Sequence, residues 1–184
     1  MIKRTLMNSI YLMIIVSMGT GVSSGQSYDK DSKQTGSSFP WPEGEKMALS
    51  LTFDDARLSQ IDKGIPLLDK YGVKGTFYVS PNSMVQRVEG WKKAVKTGHD
   101  IGNHSLVHPC TGNFTWARSR ALEDYSLLSM KGELDSASIV IKQILGIEPV
   151  SFAYPCGQKF TGKGVNTKSY IPVIASMFES GRGW

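Results

Sequence analysis

From Met47 onward, apolar and polar positions switch repeatedly between two periods. Met47 to Phe53 is a short apolar run of the kind a buried strand needs. Ile61, Ile65, Leu68 and Tyr71 then recur at helical spacing, and Gly72 follows as a C-cap. Thr76 to Val79 is β-branched and aromatic, so it reads as a second strand. Met84, Val88, Trp91 and Val95 make another helical stripe, closed by Gly98. A third strand fits Asp100 to Asn103. After a loop, a long amphipathic helix turns Leu127, Met130, Leu134, Ala137, Ile141 and Leu145 inward. Val150 to Tyr154 predicts a fourth strand and Val173 to Phe178 a fifth. Strand and helix alternate throughout, which is the pattern of a parallel α/β architecture, and these inward positions are read as core.

The first 46 residues follow different rules. Met1 to Gly25 opens with Lys3 and Arg4, runs through an apolar stretch around Ile10 to Met18, and closes on Ser23, Ser24 and Gly25. That resembles a secretory signal peptide, since the apolar stretch is shorter than the roughly 20 residues a spanning helix needs. Residues 26–46 are rich in Ser, Lys, Asp, Gly and Gln and contain Pro40 and Pro42, a polar linker. The expectation is an exported protein with no stable membrane insertion after leader removal, and one domain over 47–184. Across 184 residues the formal charge is +5; without Lys3 and Arg4, 19 basic face 16 acidic residues, or +3. The basic residues are scattered, with no run that would neutralise several phosphates together, so nucleic acid is dropped as a partner.

The polar residues with chemistry lie behind the strands. Asp54 and Asp55 follow the first apolar run; one reading is an N-cap for the next helix, the other a working carboxylate pair. His104 and His108, two of only three histidines, stand four residues apart behind the third strand. They either converge on a metal or divide between core and solvent. Ser105 follows His104, where a zincin needs Glu. The fourth strand runs into Tyr154, Pro155, Cys156 and Gly157, a turn whose backbone N–H groups can face a ligand. All three clusters occupy carboxyl ends of predicted parallel strands, where α/β folds build their sites.

Thr52 to Asp55, then His104, Ser105 and His108, then Phe152 to Gly157 resemble the first three motifs of the polysaccharide deacetylases, the NodB homology domain or carbohydrate esterase family 4. The likeness spans Met47 to about Gly157 in the family's order. It implies a distorted (β/α) barrel and a hydrolase that removes acetyl groups from carbohydrate. It makes Asp54 the general base and Asp55, His104 and His108 the ligands of a divalent metal, most commonly Zn2+. Ser105 would brace the histidine loop, and the Cys156 N–H would help hold the oxyanion. An acetylated polysaccharide or oligosaccharide is the implied partner.

The sequence departs from that family in three places. Ala153 stands where many members carry an Arg that pairs with the base, and Arg182 is the expected substitute. The family's last motif supplies a His that protonates the leaving group, whereas nothing after His108 is a His. His99 precedes the third strand, which puts it at the opposite end with a capping or surface role. Only about five strands fit, against seven or eight in the family's barrel, so the expectation is a domain incomplete at its C-terminus. The second reading is therefore a catalytically inactive carbohydrate-binding relative; a metal hydrolase of small amides is disfavoured by export.

Other residues keep open alternatives. Cys110 and Cys156 belong to the same rim, and an exported protein permits a disulfide between them, against two inert thiols or thiolate ligation of zinc. Phe114 and Trp116 offer faces for sugar rings or simply pin their loop, and Tyr154 borders the acetyl pocket or packs beneath it. Lys159, Lys163 and Lys168 read as solvated charge.

Overall fold

A computed structural model describes residues 44–183. The leader and nearly all of the linker lie outside the described residues. Among those described, no helix is long and apolar enough to cross a membrane. From Lys46 on, the chain forms one compact unit.

The unit is built around a parallel sheet. Its first strand, β1, is Thr52–Asp54; β2 is Thr76–Val79, β3 Asp100–Asn103 and β4 Ser151–Ala153. A short antiparallel hairpin of β5 (Phe160–Thr161) and β6 (Lys168–Ser169) follows, and β7 (Ser180–Arg182) returns to the sheet. The sheet order is β1-β2-β3-β4-β7 and every pairing within it is parallel. The sheet curls into a half-barrel, with α1 (Ile65–Lys70), α2 (Pro81–Met84), α3 (Val88–Lys96), α4 (Leu127–Leu145) and α5 (Ile171–Met177) among its connections.

Alternation along the strands separates two faces. Phe77, Val79 and Ile101 pack outward with Trp91, Ala94, Ile141 and Leu145 into one apolar cluster. Phe152 joins Met130, Leu134, Tyr170, Ile174 and Phe178 in a second. The helix α4 serves both. It begins with a reciprocal cap, in which Ser126 Oγ accepts from Ser129 N (3.1 Å) and Ser129 Oγ accepts from Ser126 N (2.8 Å), and ends at Gly146 in the left-handed conformation. A cap of this kind contributes about 0.5–2 kcal/mol. The inner face carries Thr76, Tyr78, Gly102 and Ser151. A Cβ on Gly102 would stand 2.5 Å from Tyr78 Cε1 and 2.7 Å from Ser151 Oγ, so only glycine lets the Tyr78 ring lie there.

Four expectations are corrected. The first strand does not begin at Met47: residues 44–50 are exposed, with Met47 at 77% and Leu49 at 84%, and only Thr52–Asp54 pair with β2. Val173 to Phe178 is not a strand. Pro172 sits in the first turn of α5, Ile174 is its buried position, and Phe178, just past its end, is buried beside it, so a short apolar run hid a helix. The fifth strand is Ser180–Arg182 instead. Tyr71 is 70% exposed rather than core, although Gly72 does take the positive φ of a C-cap residue. The second helical stripe is also split: α2 and α3 are separated by a 3-10 turn at Val85–Arg87, and Met84, Trp91 and Ala94 are the buried positions.

Candidate active site

Parallel pairing brings the carboxyl ends of β1, β3, β4 and β7 to one rim. There a cleft of about 450 Å³ is lined by Asp54, Asp55, His104, His108, Tyr154, Cys156 and Arg182, among others. Asp54 closes β1 and Asp55 follows with φ +78. The histidines lie on the loop after β3.

That loop is fastened at each end. Asn103 points outward, where its Nδ2 donates to Leu134 O (3.0 Å) and Ser138 Oγ (2.9 Å) on α4, while its Oδ1 accepts from Ser105 N (2.7 Å). Ser80 Oγ donates to His104 O (3.0 Å). Ser105 Oγ accepts from His108 N (3.1 Å), which closes the turn between the two imidazoles. Glu133 of α4 accepts from Val107 N (2.7 Å). Burial raises the Glu133 carboxyl above its ordinary range, opposed by the Val107 and Leu106 amides. None of Asn103, Ser80 or Glu133 belongs to a sequence pattern that chemistry alone would select. The only signal was position: Asn103 and Ser80 each sit at or just past a strand's carboxyl end.

His104 Nδ1 lies 2.8 Å from Ala153 O. A carbonyl only accepts, so Nδ1 carries a proton, and Nε2 is the nitrogen left free to hold a cation through its lone pair. That Nε2 faces Asp55 Oδ1 at 3.4 Å, and His108 Nε2 faces the same oxygen at 3.4 Å. One ligand atom from each of the three residues falls within 4.8 Å of the others. Lone pairs converging on a carboxylate oxygen repel unless a cation, either a proton or a metal, lies among them. The neighbouring His104, then His108 and Arg57, hold the Asp55 carboxyl well below the usual carboxylate range, against burial. The donor set of one carboxylate and two imidazoles, with His104 braced through its other nitrogen, fits a divalent cation with coordination positions left over.

Asp54 stays outside this set. Its Oδ1 pairs with Arg182 Nη2 across 128 residues, and its backbone carbonyl accepts from Gln60 Nε2 (2.6 Å). Arg182 lies at the end of β7 with its guanidinium 5.0 Å over the Tyr78 ring. Gly102, Tyr78, Arg182 and Asp54 thus stack in series.

Cys156 has φ +54 in the turn after β4 and is joined to Cys110 by a disulfide, so the histidine loop and the β4 turn are tied together. Tyr154 is buried against Phe152 and Tyr170, with ring centroids at 5.1 and 5.3 Å, and borders the cleft. Phe114 and Trp116 are 44% and 51% exposed and stacked at 5.6 Å, and the Trp116 ring stands 5.8 Å from that of His108. Lys163 and Lys168 are exposed. His99 lies at the opposite end of the sheet, but it is buried rather than a surface group. Its Nδ1 accepts from Gly75 N (3.2 Å) and its Nε2 faces Asp69 Oδ1 (3.2 Å).

Fold and site together are a curled parallel half-barrel with a carboxylate, two imidazoles and a second carboxylate on its carboxyl rim. The chain belongs to the polysaccharide deacetylase family, whose sequence profile matches residues 42–170. It is 35% identical to the uncharacterized protein YlxY of Bacillus subtilis over 97 residues, covering 53% of this chain and 27% of that protein. It is 37% identical to the peptidoglycan-N-acetylglucosamine deacetylase PgdA of Listeria monocytogenes over 62 residues, 33% of this chain and 13% of that one. Among solved structures, BA3943 of Bacillus anthracis, a CE4 family pseudoenzyme, matches with a TM-score of 0.55 at 19% identity, over 74% of this chain and 43% of that chain. The chain therefore spans about a quarter of YlxY and less than half of BA3943.

Proposed function

We propose that the chain is a metal-dependent hydrolase that removes acetyl groups from N- or O-acetylated carbohydrate outside the cytoplasm. The observation that carries this reading is the convergence of Asp55, His104 and His108 beside a carboxylate, Asp54, that is paired with Arg182 instead of joining them. Asp55, His104 and His108 hold the divalent cation, and Zn2+ suits their donor atoms. When bound, such an ion supplies a Lewis acid and a water acidified toward neutrality.

Asp54 takes the proton from the water that attacks the acetyl carbonyl, and Arg182 keeps that carboxylate turned into the cleft. The Cys156 N–H donates to the oxygen on which charge develops. Tyr154 borders the acetyl methyl group. Phe114 and Trp116 give sugar rings a face to stack on. Export follows from the leader, and a peptidoglycan of the kind named for PgdA is one polymer of the proposed class.

The test is acetate release from a panel of acetylated glycans, with zinc added and with chelator. Chelator-sensitive release is expected, and Asp54→Asn should lower it by about 10²–10⁴-fold while leaving zinc binding intact. Among the described residues no third histidine lines the cleft to protonate the leaving group. Soluble, zinc-bound protein that releases no acetate overturns the hydrolase reading in favour of a carbohydrate-binding relative.

A further inference from the structure

A second cleft, of about 470 Å³, shares Asp55, Arg57 and His108 with the first and extends along Leu106, Trp116 and Arg120. Its cationic groups are differently placed from Arg182. Arg57 grips Asp55 Oδ2 through Nη2 (2.9 Å) and Nε (3.2 Å), and its side chain is otherwise open to solvent. Arg120 stands with its guanidinium carbon 5.6 Å over the Trp116 ring. Among the described residues it donates to no acceptor, and its Nε is buried without a partner. The nearby Glu133 accepts from Val107 N and feels the Arg120 charge, but it makes no hydrogen bond to the guanidinium. The one carboxylate lining this cleft is Asp55, which faces His104, His108 and Arg57.

Beside the triad there is thus a guanidinium laid on the Trp116 ring, without a hydrogen-bond acceptor among the described residues, and a second guanidinium across the cleft. A neutral sugar would leave the planar Arg120 fork without a charged acceptor, whereas a carboxylate matches it with two parallel N–H···O bonds. We propose that this cleft is a subsite for a carboxylate-bearing sugar unit, seated next to the acetylated unit that the triad processes. The substrate is then an anionic polysaccharide. This rests on reading the triad as a deacetylase centre.

The experiment measures binding by titration calorimetry at low salt, with the full zinc-loaded chain. The probes are an oligosaccharide of alternating N-acetylglucosamine and glucuronic acid and the same oligosaccharide with its carboxyls reduced to alcohols. Wild type should bind the acidic form at least about tenfold more tightly, and Arg120→Gln should abolish the preference without changing zinc affinity. Equal affinity for both forms, including no binding of either, overturns the proposal. So does a preference that survives in Arg120→Gln. If that variant fails to fold, the wild-type comparison decides alone. Acetate release is read in the same samples: a carboxylate preference without release upholds the subsite and overturns the deacetylase reading, whereas release without preference does the reverse.

Discussion

Breaking the Cys110–Cys156 bridge should cost the fold several kcal/mol and loosen the triad. The bridge closes a loop with a sequence separation of 46 residues. In the chain-entropy treatment, a loop of about that length removes roughly 4 kcal/mol of conformational freedom from the unfolded chain, and observed effects usually fall at about 2–4 kcal/mol. With a urea dependence of about 2 kcal/mol per molar, the unfolding midpoint should fall by about 1–2 M. Cys110 is fully buried, so Cys110→Ala with Cys156→Ala also removes packing. Reduced wild type separates the two effects because it keeps both sulfurs. The assay is equilibrium urea unfolding of oxidised protein, reduced protein and the double variant, with zinc affinity measured on each. Reduction should account for most of the loss. It should also weaken zinc binding by about tenfold, because His108 lies two residues from one end of the bridge and the Cys156 turn is held by the other. A midpoint that moves by less than about 0.3 M on reduction refutes the reasoning.

Further outcomes follow from single contacts. Gly102→Ala drives a Cβ into Tyr78 and Ser151, which should cost about 1–3 kcal/mol in thermal or urea unfolding and, by tilting the ring under Arg182, lower acetate release more than zinc binding. Asp55→Asn and His104→Ala should each reduce zinc affinity by at least about 100-fold in a competition assay with a chromophoric chelator, whereas Asp54→Asn should not. Glu123 is held below its ordinary value of 4.5 by the Thr111 hydroxyl, then by Gly112 N–H. Its contribution is therefore present at neutral pH and lost as pH falls below about 4.5. Between pH 7 and 3, Glu123→Gln should lose less stability than wild type, measured as the change in urea midpoint, and equal losses would contradict the assignment.

How far the sequence could be read follows from what each element needs. Thr76–Val79 and Asp100–Asn103 were legible because they are flanked by helical stripes ending at glycines that take positive φ, Gly72 and Gly98. The helix α4 was legible because Met130, Leu134, Ala137, Ile141 and Leu145 all face inward on one stripe. The last strand was not. Ser180–Arg182 contains no apolar residue, and Gly181 is required because a Cβ there would stand 2.9 Å from Ile174 Cγ2 and 3.3 Å from the Tyr154 ring. Its position depends on partners that periodicity does not encode. Asp54, Asp55, His104, His108 and Cys156 were nameable from their motifs, since spacing within each motif is local, whereas Arg182, 128 residues from the Asp54 it pairs with, was named only through the family resemblance. The groups that hold them, Asn103, Ser80, Glu133, Tyr78 and Gly102, act through long-range contacts and carry no local signature.

The same division explains where strain is stored. Among the described residues, Asp55, Ala56, Ser105, His108 and Cys156 are the non-glycine residues with positive φ, and all five lie in the loops at the carboxyl rim. Left-handed backbone costs an L-residue about 1–2 kcal/mol, so five of them persist only where the surroundings impose them. Each has its own fastening. The Asp55 carboxylate is gripped by Arg57, and Ala56 is packed in the apolar cluster. Ser105 N is drawn to Asn103 Oδ1, and His108 N to Ser105 Oγ. Cys156 is held by its bridge to Cys110. Removing a fastening therefore releases local strain while it removes a contact, so the loss of global stability should be smaller than the loss of geometry. Ser105→Ala is the cleanest case: His108 N loses its acceptor, Ser105 keeps its own N–H bond to Asn103, and the hydroxyl contributes little to the core. Its unfolding midpoint should move little while zinc affinity falls about 10–100-fold. A variant that loses stability and zinc affinity in proportion would show that the rim is ordinary packed structure, with no strain held for the site.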